Sequence, residues 1–336
     1  MSFHTLQLDG SRIPPQGDPI LAGRVLISAA MIVRNEAATL GKCIESVRAV
    51  VDEIVVVDTG STDGTIEIAR DHGARVFQEK WRDDFSAHRN GSLDRCSGDW
   101  AFVIDGDEEL VDPGNLREMI IEAEAHEADG VGVRVTALTD AGVGEQYFSV
   151  RAFRRDRGRY RYPVHNRLTG IRRRVPSTAV LMTHYEGTME RKAARSIPLL
   201  EQLFREDPED PHAPFFLCKT YRAIGDAERT LAWGRRCAEL VPDAAEYASF
   251  WVWAFEAALA VEGIESAAAL LDELGDRHRG LADLEHCRLA VAAIRWQQAA
   301  VTPGVYAFAP QTSLQFVPGL RTAAPLLGLP FAVEDR

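Results

Sequence analysis

The chain has 336 residues, of which 46% are hydrophobic and 26% charged, the balance of a folded protein with room for about two domains. Its formal net charge of −12 argues against a general nucleic-acid binder, because neutralising phosphates takes clustered Lys and Arg. The five cysteines, Cys43, Cys96, Cys218, Cys237 and Cys287, show no CxxC spacing and read as reduced thiols, not as a disulfide frame or a zinc site.

Residues 1–24 carry Gly10, Pro14, Pro15, Gly17 and Pro19 and predict an irregular arm. Asp9, Pro14, Pro15 and Asp18 break any apolar core a signal peptide would need, and no run reaches membrane-spanning length, so the cytoplasm is the expected location. Leu26–Val33 is an apolar run that reads as a strand, followed by polar Arg34-Asn35-Glu36. Ala38–Val47 has helical spacing, with Leu40, Ile44 and Val47 on one side. Ile54–Val57 is a second buried strand, ending at Asp58-Thr59-Gly60-Ser61. Thr65–His72 reads as a helix stopped by Gly73, Arg75–Phe77 as a short strand, and Phe85–Arg95 as a helix ending near Gly98. Trp100–Ile104 is a further buried strand that ends at Asp105. Continuous apolar strands alternating with amphipathic helices predict an α/β domain, its sheet mostly parallel and covered on both faces.

Val131–Val135 and Tyr147–Phe153 read as added strands of the same domain. Ten arginines fall between Arg151 and Arg174. They hold donor phosphates or an anionic acceptor through bidentate forks, or they form a solvated face with a few ion pairs; for most of them the second reading is preferred. From about Arg191 the pattern is helical. Asp207-Pro208 and Val241-Pro242 stand 34 residues apart and enclose two helix-like stretches, His212–Ala223 and Ala227–Leu240, split by Gly225-Asp226. A helix–turn–helix of that period is the tetratricopeptide signature, and Ala244–Val261 and Ser266–Leu274 read as degenerate continuations. The expected organisation is an irregular arm over 1–24, an α/β domain over 25–190, an all-α tetratricopeptide-like domain over 191–301 and an irregular tail over 302–336.

The most informative residues are Asp105-Gly106-Asp107-Glu108, directly after the strand Trp100–Ile104. Ligands of open parallel sheets bind beyond the carboxyl ends of strands. Two carboxylates at i and i+2 on such a turn can face one hard divalent cation, and Gly106 permits the bend and a close ligand approach. Asp58 through Thr65 also leaves a strand and opens a helix, with Asp63 among its hydrogen-bonding residues and Gly60 and Gly64 giving backbone freedom. Asn35-Glu36 ends the first strand on the same predicted edge. Each motif alone reads equally well as a solvated turn or helix cap; three on one edge make a site.

Met31-Ile32-Val33-Arg34-Asn35-Glu36, Val56 to Thr65, Phe85-Ser86-Ala87-His88-Arg89-Asn90 and Asp105-Gly106-Asp107-Glu108 resemble, in order, blocks of the family 2 glycosyltransferases of the GT-A fold. The closer likeness is to the bacterial branch with a tetratricopeptide-like region after the catalytic domain, which includes lipopolysaccharide-core glucosyltransferases and peptide S-glycosyltransferases. The resemblance implies a Rossmann-like GT-A domain, a nucleotide-sugar donor, in particular a UDP-sugar, and Mn²⁺ or Mg²⁺. Val33, Asn35, Glu36 and Asp58 would line the nucleoside pocket, with Thr59 where many relatives carry a second Asp, Asp63 close by, and Arg89 reaching in from its helix. Asp105 and Gly106 would meet ribose or metal-bound water, and Asp107 would bind the metal.

Tyr162-Pro163-Val164-His165-Asn166 and Thr183-His184-Tyr185-Glu186-Gly187 resemble two blocks that close this branch's catalytic domain. His184 would supply a metal ligand, and His165 would orient the acceptor or move a proton. Relatives often carry Glu where this chain has Asn166, and an amide is no general base. His165, Asp140, Glu145 and Glu186 are then the candidates for that role, or the acceptor is a more acidic group such as a thiol. The reaction expected is transfer of a hexose, with inversion, to a peptide, saccharide or small molecule. The helical domain is expected to bind a peptide acceptor, to buttress the catalytic domain or to form a homodimer. The rivals are a sugar nucleotidyltransferase, for which the glycine-rich loop and Lys near the first strand are missing, and a non-catalytic scaffold, which intact Asp105 and Asp107 oppose.

Overall fold

A computed structural model describes residues 25–139, 142–184, 188–275, 278 and 282–300. The expected arm over 1–24 and the tail beyond 301 lie outside these residues. The chain folds as two compact units, one before Thr188 and one from Thr188 onward.

The first unit is built on an eight-stranded sheet of order β3-β2-β1-β4-β7-β6-β10-β5. Its elements in chain order are β1 (Ile27–Val33), α1 (Leu40–Val47), β2 (Glu53–Asp58), α2 (Thr65–Asp71), β3 (Arg75–Gln78), α3 (Phe85–Arg95), β4 (Trp100–Val103), β5 (Glu108–Asp112), α4 (Leu116–Ala125), β6 (Gly130–Thr139), β7 (Gly142–Arg154), β8 (Arg159–Arg161), β9 (Arg167–Thr169) and β10 (Arg174–His184). The half from β3 to β4 is parallel, as the continuous apolar strands predict. Side chains alternate between its faces with the period of two that a pleated strand imposes. Ile27, Ala29, Met31, Val33, Trp100, Phe102 and Ile104 enter one core with Leu40, Cys43, Ile44 and Val47 of α1. Ala30, Val55, Ala101 and Val103 enter the other, against Leu93 and Cys96 at the end of α3.

Beyond β4 the mostly parallel sheet becomes mixed. β7 runs antiparallel to both β4 and β6, β10 returns parallel to β6, and β5 closes the edge antiparallel to β10. Neither β5 nor β10 is read in the sequence, because β5 begins inside the acidic motif and β10 opens within the arginine run. The predicted strands at 131–135 and 147–153 extend to Gly130–Thr139 and Gly142–Arg154. Several arginines of the run are spent on structure. Arg151 pairs with Glu108, Arg154 with Glu124 and Asp156, and Arg159 with Asp94, while Arg155 caps the Gly98 carbonyl.

The second unit is helical: α5 (Met189–Glu206), α6 (His212–Ala223), α7 (Ala227–Leu240), α8 (Ser249–Val261), α9 (Ile264–Leu274) and α10 (Ala282–Ala300). The α6–α7 pair is the helix–turn–helix of the 34-residue period. Gly225, at φ +79°, closes α6 in the left-handed region, and the Asp226 side chain accepts from Arg229 N to cap α7. Phe250, Trp251, Ala254 and Phe255 of α8 are buried in a core shared with Leu231 and Cys237 of α7 and Leu271 and Leu274 of α9. No helix among the described residues is long and apolar enough to cross a membrane.

Helices α7 and α8 touch at Gly234, where an added Cβ would lie 2.6 Å from Ala254 Cβ. Gly234→Ala therefore forces two backbones apart, an overpacking cost of about 1–3 kcal/mol that outweighs the roughly 1 kcal/mol gained in helix propensity. Thermal unfolding should show a lowered transition for the helical unit; an unchanged or raised transition would refute the close packing.

Candidate active site

The site lies where β2, β1 and β4 end side by side. Val33 is level with Asp58 in the parallel register, and Ala30 with Val103, so the three following loops leave one edge of the sheet together. The first two are fastened to each other. Asn35, at φ +57°, donates its backbone N–H to Ser61 Oγ at 2.8 Å and accepts Thr62 N–H on Oδ1 at 2.7 Å. Glu36 N donates to Thr65 Oγ1 at 2.8 Å, and Ala37 N to Asp63 Oδ2 at 3.2 Å. Asp63 Oδ1 accepts from the Thr65 backbone and hydroxyl, hydrogen bonds that hold its carboxyl below the usual range, the hydroxyl's first. Thr59 sends both its N–H and its hydroxyl to Val33 O, at 3.0 and 3.1 Å.

Asn35, Thr59 and Asp63, expected at the nucleoside, thus have these polar atoms committed to the loop framework. Asp58 differs. Its Oδ1 accepts from Gly60 N and Ser61 N, both at 3.0 Å, while its Oδ2 is buried with no hydrogen-bond partner among the described residues. The residue is 2% exposed. An unsatisfied buried acceptor costs about 1–3 kcal/mol, more when charged, and native folds keep few of them without a purpose.

The third loop is the acidic turn. Glu108 N donates to Asp105 O at 3.1 Å, and Glu108 Oε2 accepts Asp105 N–H at 2.9 Å, so the motif closes on itself. From α1, the Cys43 thiol donates to Asp105 O at 3.2 Å. A Cβ on Gly106 would fall 3.0 Å from Glu36 Cγ and 3.2 Å from Val33 Cγ1, so a glycine lets this turn press against the end of β1.

Two guanidiniums neutralise the turn from beneath. Arg89 Nη2 lies 2.8 Å from Asp105 Oδ1 and 3.0 Å from Oδ2, its Nε donates to Asn166 Oδ1 at 3.3 Å, and it sits over the Tyr160 ring at 5.5 Å. Arg151 Nη2 reaches Glu108 Oε1 at 2.7 Å. Burial opposes charge on Asp105, but Arg89 and then Arg151 outweigh it and hold the carboxyl below the usual range. Burial pushes Glu108 up to about 7, with Arg151 pulling against it and Asp105 and Asp107 adding to it. Burial likewise raises the Cys43 thiol, reinforced by Glu108 and Asp105. Asp107 is partly exposed on the same turn.

The segment after β8 forms the adjacent wall. His165 is exposed, and both it (φ +51°) and Tyr162 (φ +73°) are in the left-handed region. His184 is the last residue of β10, and its side chain lies outside the described part of the structure. The pairing of β10 with β5 runs as far as Thr183 opposite Glu108, the residue next to Asp107. Asp140 and Glu186, and the side chain of Glu145, lie outside the described residues. Arg151, Cys43 and Tyr160 take part without having been singled out as site residues, and Glu108 enters the sequence reading only as the last residue of the acidic motif. Arg151 was hidden in a run of arginines, and Cys43 and Tyr160 carry no signal at the level of spacing.

Residues 28–186 match the family model described as Glycosyl transferase family 2. Among curated proteins, the SPbeta prophage-derived glycosyltransferase SunS of Bacillus subtilis is 26% identical over 217 residues, 61% of this chain and 51% of that one. The lipopolysaccharide core biosynthesis glycosyltransferase LpsC of Rhizobium meliloti is 38% identical over 147 residues, 40% of this chain and 53% of that one. A TPR repeat-containing protein of Synechococcus elongatus is 48% identical over 90 residues, 27% of this chain and 22% of that one. The chain thus spans about half the length of the first two relatives and less than a quarter of the third.

Arg151 is the partner of a carboxylate that is 4% exposed. Arg151→Met keeps much of the stem and removes the charge, which leaves Glu108 buried beside Asp105. The expected loss is about 3–5 kcal/mol of unfolding free energy, measured by denaturant titration; a loss below about 1 kcal/mol, the range of a surface pair, would contradict the role given to it.

Proposed function

From residues 28–186 being a glycosyl transferase family 2 domain, we propose that this protein moves a hexose from a nucleotide diphosphate sugar, a UDP-sugar, to a hydroxyl or thiol acceptor with inversion. The observation that carries the donor half is the Asp58 carboxylate, buried beside the acidic turn with Oδ2 unpartnered among the described residues. An acceptor of that kind at a strand end suits an N–H of the base or a ribose hydroxyl, and Glu36 stands at the neighbouring strand end.

The donor set fits a divalent ion of the Mn²⁺ or Mg²⁺ kind. Among the described residues no three His, Cys, Asp or Glu side chains gather into a metal-binding group, and Asp105 is engaged by Arg89. We assign Asp107 and His184 to hold such an ion, which would take its remaining ligands from phosphate oxygens and water, the habit of these hard cations. When bound, the ion supplies positive charge at the diphosphate leaving group.

This chain's own residues do the rest. Arg89 keeps Asp105 ionised and in place, Gly106 lets the turn approach the nucleoside end of β1, and His165 faces solvent where an acceptor would enter. His165 is the residue we assign to acceptor orientation or proton transfer. The Asn166 amide is bonded on both ends and has no part as a base.

Calorimetry with UDP, with and without Mn²⁺, tests the reading. UDP should bind in the presence of the ion, and Asp107→Ala should weaken that binding by at least about tenfold, equivalent to roughly 1.4 kcal/mol. Asp58→Ala should weaken UDP binding whether or not the ion is added. If the unaltered protein binds no UDP under either condition, the donor assignment is wrong; if Asp107→Ala binds as the unaltered protein does, the metal assignment is wrong.

A further inference from the structure

We propose that Asn166 is a positioning residue: it fixes the Arg89 guanidinium on Asp105 and so ties the 162–166 loop to the acidic turn. The proposal depends on the function above only in treating that turn as the nucleotide-binding one.

Arg89 is 15% exposed and has a single carboxylate to serve, with Nη2 against both Asp105 oxygens. A long side chain held by one end of its fork can still swing about the Cδ–Nε bond. Two contacts prevent that here. The Tyr160 ring forms a floor at 5.5 Å, and Asn166 Oδ1 accepts from Nε, the root of the fork, at 3.3 Å. With Nε and Nη2 both engaged, the plane of the guanidinium is set, and planarity is what makes arginine a directional partner for a carboxylate.

Asn166 is itself held. Its Nδ2 donates to Tyr162 O at 2.5 Å. The orientation of the amide follows from chemistry, since Arg Nε only donates and a backbone carbonyl only accepts. A second bond, Phe85 N to Pro163 O at 2.9 Å, joins the same loop to α3 one turn before Arg89. The loop is thus pinned at two points of one helix, and this pinning keeps Tyr162 and His165 in left-handed backbone that side chains other than glycine avoid.

The chemistry also says why an acidic residue fits poorly at this position. A carboxylate would still accept from Arg89 Nε, but it would turn an acceptor toward the Tyr162 carbonyl. Asparagine offers one acceptor and one donor at the reach required. The departure from Glu is then a change of task at position 166, with the loop that presents His165 coupled to the turn that carries Asp105 and Asp107.

Two variants separate positioning from mere structure. Asn166→Ala removes both bonds; Asn166→Asp keeps an acceptor for Arg89 Nε and loses the donor to Tyr162 O. Both should lower the thermal midpoint. In protein with ¹⁵N-labelled arginine, the Arg89 Nε–H signal, identified by its absence in Arg89→Lys, should exchange slowly with solvent in the unaltered protein and in Asn166→Asp. In Asn166→Ala it should exchange at least about tenfold faster, as expected when a buried donor loses its acceptor. UDP affinity with Mn²⁺ should fall by about tenfold in Asn166→Ala and by less than about threefold in Asn166→Asp. The proposal is overturned if the alanine variant leaves Arg89 exchange as in the unaltered protein, or if both variants lose protection and affinity alike. Should the unaltered protein bind no UDP, the donor assignment falls while the exchange measurement still decides the role of Asn166.

Discussion

Asp105, Asp107 and Glu108 occupy one short turn, Glu36 stands against it across Gly106, and Asp58 ends the next strand over. Such a gathering of carboxylates is repulsive and, where buried, costly to charge. Arg89 and Arg151 make it tenable from beneath, one on Asp105 and the other on Glu108. Buried ion pairs of this sort are weak evidence for net stability, since desolvation cancels much of the attraction. Their consequence here is geometric: Asp105 and Glu108 are anchored, and Asp107 lies partly exposed on the same turn. Every other feature of the site follows from holding that turn still, including the Cys43 bond to the Asp105 carbonyl and the Asn166 bond to Arg89.

The chain as a whole is acidic, at −12, and this bears on what it can bind. A pyrophosphate approaching this edge meets negative charge unless a cation intervenes, so the composition and the turn ask for the same thing. The arginine-rich stretch does not supply that cation on a large scale. Arg151, Arg154, Arg157 and Arg159 are paired with carboxylates, which ties part of the positive charge of this region into the fold itself.

The helical unit follows a separate logic. Its α6–α7 turn is set by a left-handed Gly225 and a capping Asp226, and the 34-residue spacing follows from that unit and the next. Packing of α8 between α7 and α9 buries large aromatic side chains, with Gly234 sparing the room. That core is made of residues from successive helices of this unit.

Local periodicity in the sequence was enough to determine the parallel half of the sheet, its helices and the position of the acidic motifs, because runs such as Ile54–Val57 and Trp100–Ile104 are fixed by their own side chains. The helix–turn–helix was legible for the same reason. The antiparallel half was not. β5 and β10 are defined by whom they pair with, and pairing across some 70 residues leaves no trace in local pattern. The site divides along the same line. Residue types and spacing marked Asp58, Asp105 and Asp107, and the family resemblance added Arg89, but only the tertiary structure decided which atoms each of them meets. It spent Asp63 and Thr59 on fastening loops, left one oxygen of Asp58 without a partner among the described residues, placed Arg151 under Glu108, and turned Asn166 from an absent base into a partner for Arg89. Those assignments depend on which atoms face each other across 26 to 77 positions of chain, and distance in sequence carries no information about direction in space.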